Sequence, residues 1–262
     1  MIRLKIVKDA DEYTLPIDFA IQDNYVDIRK SVKDKVFSHG AFDLSDGKIK
    51  EKTLLLKGIV YGATRSAYLT ALQELREKLY QQEYKLYFGE VATYNYYYDI
   101  EKVLRMRDKY IEGNDYVASE TEILLLLTDP FLYYKTATTV DTTIDASPKT
   151  FTVTNDGNVD AYPVITITAD MTVNDLELQN DTDVPAGESE GLKFNFVSNY
   201  FVSGNDLVVD CKEGTVERET TNSIRYFSGA FLKLVPGANS ITYTGDTNTG
   251  TVVSFVFNKR FI

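Results

Sequence analysis

Residues 123–134 read "ILLLLTDPFLYY". Five aliphatic residues, Ile123 to Leu127, run straight into Thr128-Asp129-Pro130, and an aromatic cluster follows. A short apolar run bounded by a turn signal fits a strand with apolar residues on both faces. Pro130 has no N–H and cannot continue a central ladder. It also drives Asp129 out of the helical region into an extended conformation. Asp129 is then suited to accept hydrogen bonds from nearby backbone N–H groups as the chain turns. The stretch is therefore the end of one domain, and Phe131 and Tyr133 are expected to pack where a second begins.

The chain has 262 residues, a length that suits two domains. Upstream of the run lie strands and one helix. "RLKIV" alternates Leu4 and Ile6, and Asp46-Gly47 offers hairpin turn chemistry between two strand-like segments. "TRSAYLTALQELREKLYQQ" then changes period: Leu69, Leu72, Leu75 and Leu79 recur at helical spacing. A helix over about 64–81 follows, capped by Thr64 or Ser66, with Glu74 and Lys78 placed for an i,i+4 pair. "YKLYFG", "YNYYYDI" and "YVASETEILLLLT" return to strands, with Gly113-Asn114-Asp115 as a turn. In "YNYYYDI" the tyrosines fall on both faces, one toward a core and one toward an interface.

Downstream there is no helical period. "TFTVTN", "PVITITA", "DLELQN", "LKFNFVS", "DLVVDC", "SIRYFSG", "FLKLV", "SITYTG" and "VVSFVFN" are short strand-like segments separated by Gly, Asn, Asp and Pro. That pattern reads as an antiparallel β-sandwich. Residues 135–149, rich in Thr, Asp and Ala, are either a linker or a first edge strand. The fold class is mainly β: an α+β domain over 1–135, a sheet or barrel with one helix, then an all-β domain over 136–262.

The net charge is −11, and it is uneven. Residues 1–136 carry 20 Lys+Arg against 22 Asp+Glu; residues 137–262 carry 8 against 17. An acidic chain is poorly suited to gripping nucleic acid. No apolar run approaches the roughly 18 residues of a membrane span, and "MIRLKIVKDADEY" has no long apolar stretch of the secretory kind.

No catalytic, cofactor-binding or metal-binding set emerges. Cys211 is the sole cysteine and alternates with Leu207 and Val209, as a small core residue does. His39 is the sole histidine, so a His-based triad or an HExxH zinc site has little to build on. No G-x-S-x-G and no phosphate-binding glycine loop is present. Acidic turns such as "NDTDVPAGE" and "DGNVD" lack the spacing of an EF-hand and read as turns. No cofactor and no enzymatic activity are expected.

Four stretches in order resemble the distal tail protein family of long, non-contractile-tailed (siphovirus-type) bacteriophages. They are "GIVYGATRSAYLTALQELREKLYQQEYKLYF", the Asp129-Pro130-Phe131-x-Tyr133 segment, "TVTNDGNVDAYPVITI", and "FLKLVPGANSITYTGDTNTGTVVSFVFNKRFI" with its Pro236-Gly237-x-Asn239 turn. The resemblance spans residues 50–262. It implies a tail-tube-like N-terminal domain that forms a hexameric ring, and a galectin-like β-sandwich outside it. It implies a structural virion protein at the tail tip, made in the bacterial host. Its partners would be itself as a homohexamer, the tail-tube protein, a tail-associated hub or lysin protein and a receptor-binding protein. DNA would pass through without specific binding. The alternative is a carbohydrate-binding module used in host adsorption. Galectin-type sites use a Trp with His, Arg and Asn; this chain has no Trp, and its second half has no His.

Overall fold

The helix that the leucine spacing implies is α1, Arg65–Leu79. Thr64 caps it from an extended conformation, its Oγ1 accepting from the Ala67 N–H at 3.2 Å. Ser66 lies inside the helix. Gly62, just before the cap, is required by space: a Cβ there would sit 2.2 Å from the Tyr68 nitrogen. The buried stripe is Tyr68, Leu72, Leu75 and Leu79, while Leu69 is 47% exposed. The stripe is thus one residue out of phase at its start, because the aromatic ring at 68 has more area to bury than the leucine beside it. Lys78 also departs from expectation. It reaches across to Asp11 instead of Glu74, and Arg76 pairs with Asp108. Thr64→Ala is expected to lower the stability of the first unit by about 1 kcal/mol, read by urea denaturation of the full chain.

The structure is a computed structural model, and it describes residues 2–16, 18–25, 32–34, 41–43, 51–90, 93–111, 117–170, 172–173, 175–197, 203–245 and 250–262. His39 and the turns at 46–47 and 113–115 lie outside the described residues. The chain divides into two compact units, Met1–Lys135 with Ile262, and Thr136–Phe261.

In the first unit, one sheet orders β2 (Asp11–Thr14), β1 (Ile2–Lys8), β7 (Tyr84–Glu90), β8 (Thr93–Ile100) and β11 (Leu132–Tyr134) side by side. A second sheet orders β3 (Ala20–Tyr25), β6 (Lys52–Tyr61), β10 (Ala118–Leu127) and β9 (Lys102–Tyr110). The short strands β4 (Val32–Asp34) and β5 (Ala41–Asp43) pair with each other. Among the described residues the pairings in these sheets are antiparallel. No barrel closes: that would need β3 to meet β9, and among the described residues each pairs only inward, with β6 and β10. Both sheets and α1 share one core, including Leu4, Leu56, Leu75, Leu86, Ile123 and Leu125.

The quoted run is β10 and its exit. Ile123, Leu125 and Leu127 are fully buried, whereas Leu124 and Leu126 on the opposite face are half-buried. Alternation therefore survives inside a run that looks uniformly apolar.

The second unit has two antiparallel sheets around a separate core. One orders β12 (Thr138–Thr143), β22 (Val252–Phe257), β14 (Val164–Thr168), β17 (Asp206–Asp210), β18 (Thr215–Arg218) and β19 (Thr221–Asn222). The other orders β13 (Lys149–Asn155), β21 (Gly237–Gly245), β15 (Asp175–Asn180), β16 (Leu192–Val197) and β20 (Phe227–Gly229). Inward residues of both, such as Ile165, Leu178, Phe194, Val209, Tyr243 and Phe255, form the core. Of the two readings of residues 135–149, the edge strand holds: β12 pairs with β22 from Thr138 to Thr143. "SIRYFSG" is a 3-10 turn at Ile224–Tyr226 leading into a short strand. "FLKLV" alternates as a strand does, but it makes one isolated bridge, Leu234 to Ala161.

Candidate functional site

The sequence-derived residues form two groups, one in each unit. In the first, Asp129 anchors the turn after β10. Its Oδ1 accepts from the Phe131 N–H at 3.3 Å, and its Oδ2 accepts from the Tyr133 hydroxyl at 2.5 Å. Pro130 between them is buried. The carboxylate thus satisfies the N–H that the turn frees and holds the aromatic two residues further on.

Tyr133 belongs to a cross-strand row. Register places Lys5, Tyr87, Tyr97 and Tyr133 opposite one another on β1, β7, β8 and β11. Tyr97 stacks on Tyr133 at 5.3 Å between centroids and lies 5.1 Å from Tyr87. Lys85 lies 4.2 Å from the Tyr97 centroid, and Lys135 lies 5.6 Å from that of Tyr87. Burial, reinforced by the Asp99 carboxylate, raises the Tyr97 hydroxyl pKa. On the other face of β8, Tyr96 and Tyr98 stack with Phe88. The tyrosines of "YNYYYDI" thus lie on both faces of β8.

In the second unit, Gly237 takes a φ of +95°, which lets the chain reverse after the exposed Pro236 and enter β21. Asn239 is fully buried and makes four hydrogen bonds. Its Oδ1 accepts from the Val235 N–H (2.9 Å) and from Asn180 Nδ2 (3.0 Å). Its Nδ2 donates to the carbonyls of Val235 (2.8 Å) and Gly237 (3.1 Å).

Two more asparagines complete the arrangement, each closing a strand-like segment, "TFTVTN" and "DLELQN", just before a turn. Asn180 Nδ2 also donates to the Lys233 carbonyl (2.8 Å), while its Oδ1 accepts from the Thr182 N–H (3.1 Å). Asn155 Nδ2 donates to the carbonyls of Leu234 and Val159, both at 2.9 Å. Three fully buried amides therefore bind the backbone of 233–237 in place of a sheet ladder. This is why "FLKLV" has strand-like alternation without being a strand.

The acidic turns are occupied by lysines. Lys233 lies 2.8 Å from Asp160 and 3.4 Å from Asp183, and Lys259 lies 2.6 Å from Asp156. Hydrogen bonding to Asp160 holds the Lys233 pKa above its ordinary value. Among the described residues no group of three or more His, Cys, Asp or Glu gathers as metal ligands. Cys211 is buried, and burial pushes its thiol up to about 12, far from a reactive thiolate. Among the described residues no helix is long and apolar enough to cross a membrane.

Comparison with known proteins agrees with the resemblance read from the residues. Residues 156–261 match the family model of the siphovirus-type tail component, C-terminal domain. No curated protein matches the chain. Among solved structures, the phage SPP1 Dit protein is similar with a TM-score of 0.72 and 15% identity, over 99% of each chain; it is described as a paradigm of the hub adsorption apparatus in phages infecting Gram-positive bacteria. A chain of the phage P2 baseplate in its activated conformation with Ca gives a TM-score of 0.48 and 7% identity, over 99% of this chain and 98% of that one. The whole chain therefore shares the fold of the SPP1 protein, and its second unit carries the family signature.

Proposed function

We propose that this chain is the distal tail, or baseplate hub, protein of a siphovirus-type particle. In this reading six copies form a ring that joins the tail tube to the tail-tip adsorption apparatus, and DNA passes through the centre. The carrying observation is the tail-component match over residues 156–261, joined to a fold likeness that covers the full chain. The second unit, with two antiparallel sheets on one core, serves as a galectin-like outer module. Neighbours would be the tail-tube protein, a tail-associated hub or lysin protein and a receptor-binding protein. The role is structural and not catalytic.

The open sheet of the first unit supports the ring. The strands β3 and β9 end it, each paired on one side among the described residues, and β9 runs for nine residues. One copy's edge against the opposite edge of the next is a head-to-tail contact, which closes into a ring when the rotation per copy allows. Gold-labelled antibody to this chain, applied to intact particles, is expected to mark the distal tail tip. Label along the tube or on the capsid would rule the assignment out.

A further inference from the structure

The strand β9 carries a charge pattern that the hub role does not use. Its outward residues are Lys102, Arg105, Arg107 and Lys109; all four are exposed, and all four are cations. The inward residues Val103 and Met106 pack on the core, and Leu104 is the extra residue at a bulge. The strand's one acid, Asp108, faces inward, accepting from Thr121 Oγ1 at 2.8 Å and Arg76 Nη2 at 2.6 Å.

Register extends the pattern across the sheet. Arg107 lies opposite Glu122, itself opposite Lys57, and Lys57 bridges Glu122 at 2.7 Å. Lys109 lies opposite Glu120, whereas Arg105 and Lys102 lie opposite Leu124 and Leu126. Among the described residues none of the four β9 cations sits within ion-pair distance of a carboxylate. On β6, β10 and β9 this face holds five cations and two carboxylates, in a chain whose net charge is −11.

We propose that this stripe contacts the phosphodiester backbone of double-stranded DNA, weakly and without sequence preference. Alternate side chains on a strand are about 6.8 Å apart, two base-pair rises of a duplex at about 3.4 Å each. The face presents Leu55, Leu124 and Leu126, with the exposed Tyr61 at one end on β6 and Tyr110 just beyond Lys109; two rings at one end give no row on which successive unpaired bases could stack. Protection of an exposed edge also uses charge, Lys above all; it does not call for two arginines between the lysines on one face, which phosphate recognition does. The two glutamates keep the contact weak, so that a duplex is held in register with the protein yet slides. The inference stands on this face alone and does not require the ring.

The test is fluorescence anisotropy of a labelled 30-base-pair duplex against the full chain over a salt series. Particle mass is measured by light scattering on the same samples. Four phosphate contacts give a loss of affinity on the order of 100-fold between 50 and 200 mM salt. Arg105→Gln with Arg107→Gln leaves a loss of about tenfold, and its unchanged melting temperature checks that it folds. No salt-dependent binding at 20 mM salt, or an unchanged salt slope in the double variant, overturns the proposal. Displacement of the duplex by a glycerol-phosphate polymer at tenfold lower charge concentration overturns the assignment to DNA. A six-copy mass without DNA binding sinks this inference and leaves the hub reading intact; DNA binding by a monomer does the reverse.

Discussion

Asn239→Ala is expected to destabilise the second unit by about 3–5 kcal/mol and to lower its melting temperature by roughly 10–15 °C. The side chain lost makes four hydrogen bonds in a site closed to water. Alanine removes them and leaves the Val235 N–H, the Val235 carbonyl and Asn180 Nδ2 short of partners. Each orphaned buried group costs about 1–3 kcal/mol, and no ladder exists to recover the loss, since 233–237 is bound mainly by side chains. Scanning calorimetry of the full chain is the measurement. The expected result is one transition moved down and the other unmoved. A shift below 1 kcal/mol would show that the amide network does not hold the turn.

The second large effect has the opposite sign. Lys52→Met is expected to stabilise the first unit by about 1–3 kcal/mol at pH 7. Lys52 starts β6 with its side chain turned inward, 1% exposed. Its Nζ donates to the Tyr98 hydroxyl at 3.1 Å and lies 4.5 Å from the centroid of that ring. Burial lowers its pKa to about 8 from the usual 10.5. At pH 7 the folded chain thus holds a buried ammonium against a hydroxyl and an aromatic face. Between pH 8 and 10.5 the unfolded chain keeps the proton that the folded chain has released, so this contribution to stability rises with pH. The penalty is full below about pH 8 and fades toward 10.5. The advantage of Lys52→Met should accordingly shrink between pH 7 and pH 10. Denaturant midpoints at both pH values decide it; a variant less stable than the parent at pH 7 would refute the argument.

The elements were legible where period and punctuation agreed. Thr64 announced the helix start, and Pro130 announced the end of β10. The inward set of "ILLLLT" was hidden, because five aliphatic residues in a row carry no phase; Ile123, Leu125 and Leu127 emerge as inward only once β10 is paired with β6. The helix stripe misled for a related reason: Tyr68 and Leu69 are adjacent and both apolar, so spacing alone could not choose between them. β12 was ambiguous because an edge strand with one wet face needs few apolar residues, and Thr-rich sequence serves it as well as it serves a linker.

The site was half legible. Asp129, Tyr133, Gly237 and Asn239 stood in motifs, and each has a physical duty in the structure. Asn155 and Asn180 were missed because asparagine before a turn ordinarily caps its own backbone; each does so here with Oδ1 and uses Nδ2 to reach a segment distant in sequence. Lys52 was missed because a lysine at a strand's first residue usually points to water. The β9 stripe was diluted by the chain's overall acidity, and only the register places its four cations on one face.

In the proposed function, copies of this chain assemble into the hub ring of a phage tail. Native mass spectrometry of the purified full chain tests it most directly. Expected is a dominant species of six copies, six times 29.7 kDa, that dissociates when a proline placed in β9 blocks pairing at that edge. A chain that stays monomeric at high concentration, with no closed oligomer of any size, would contradict it.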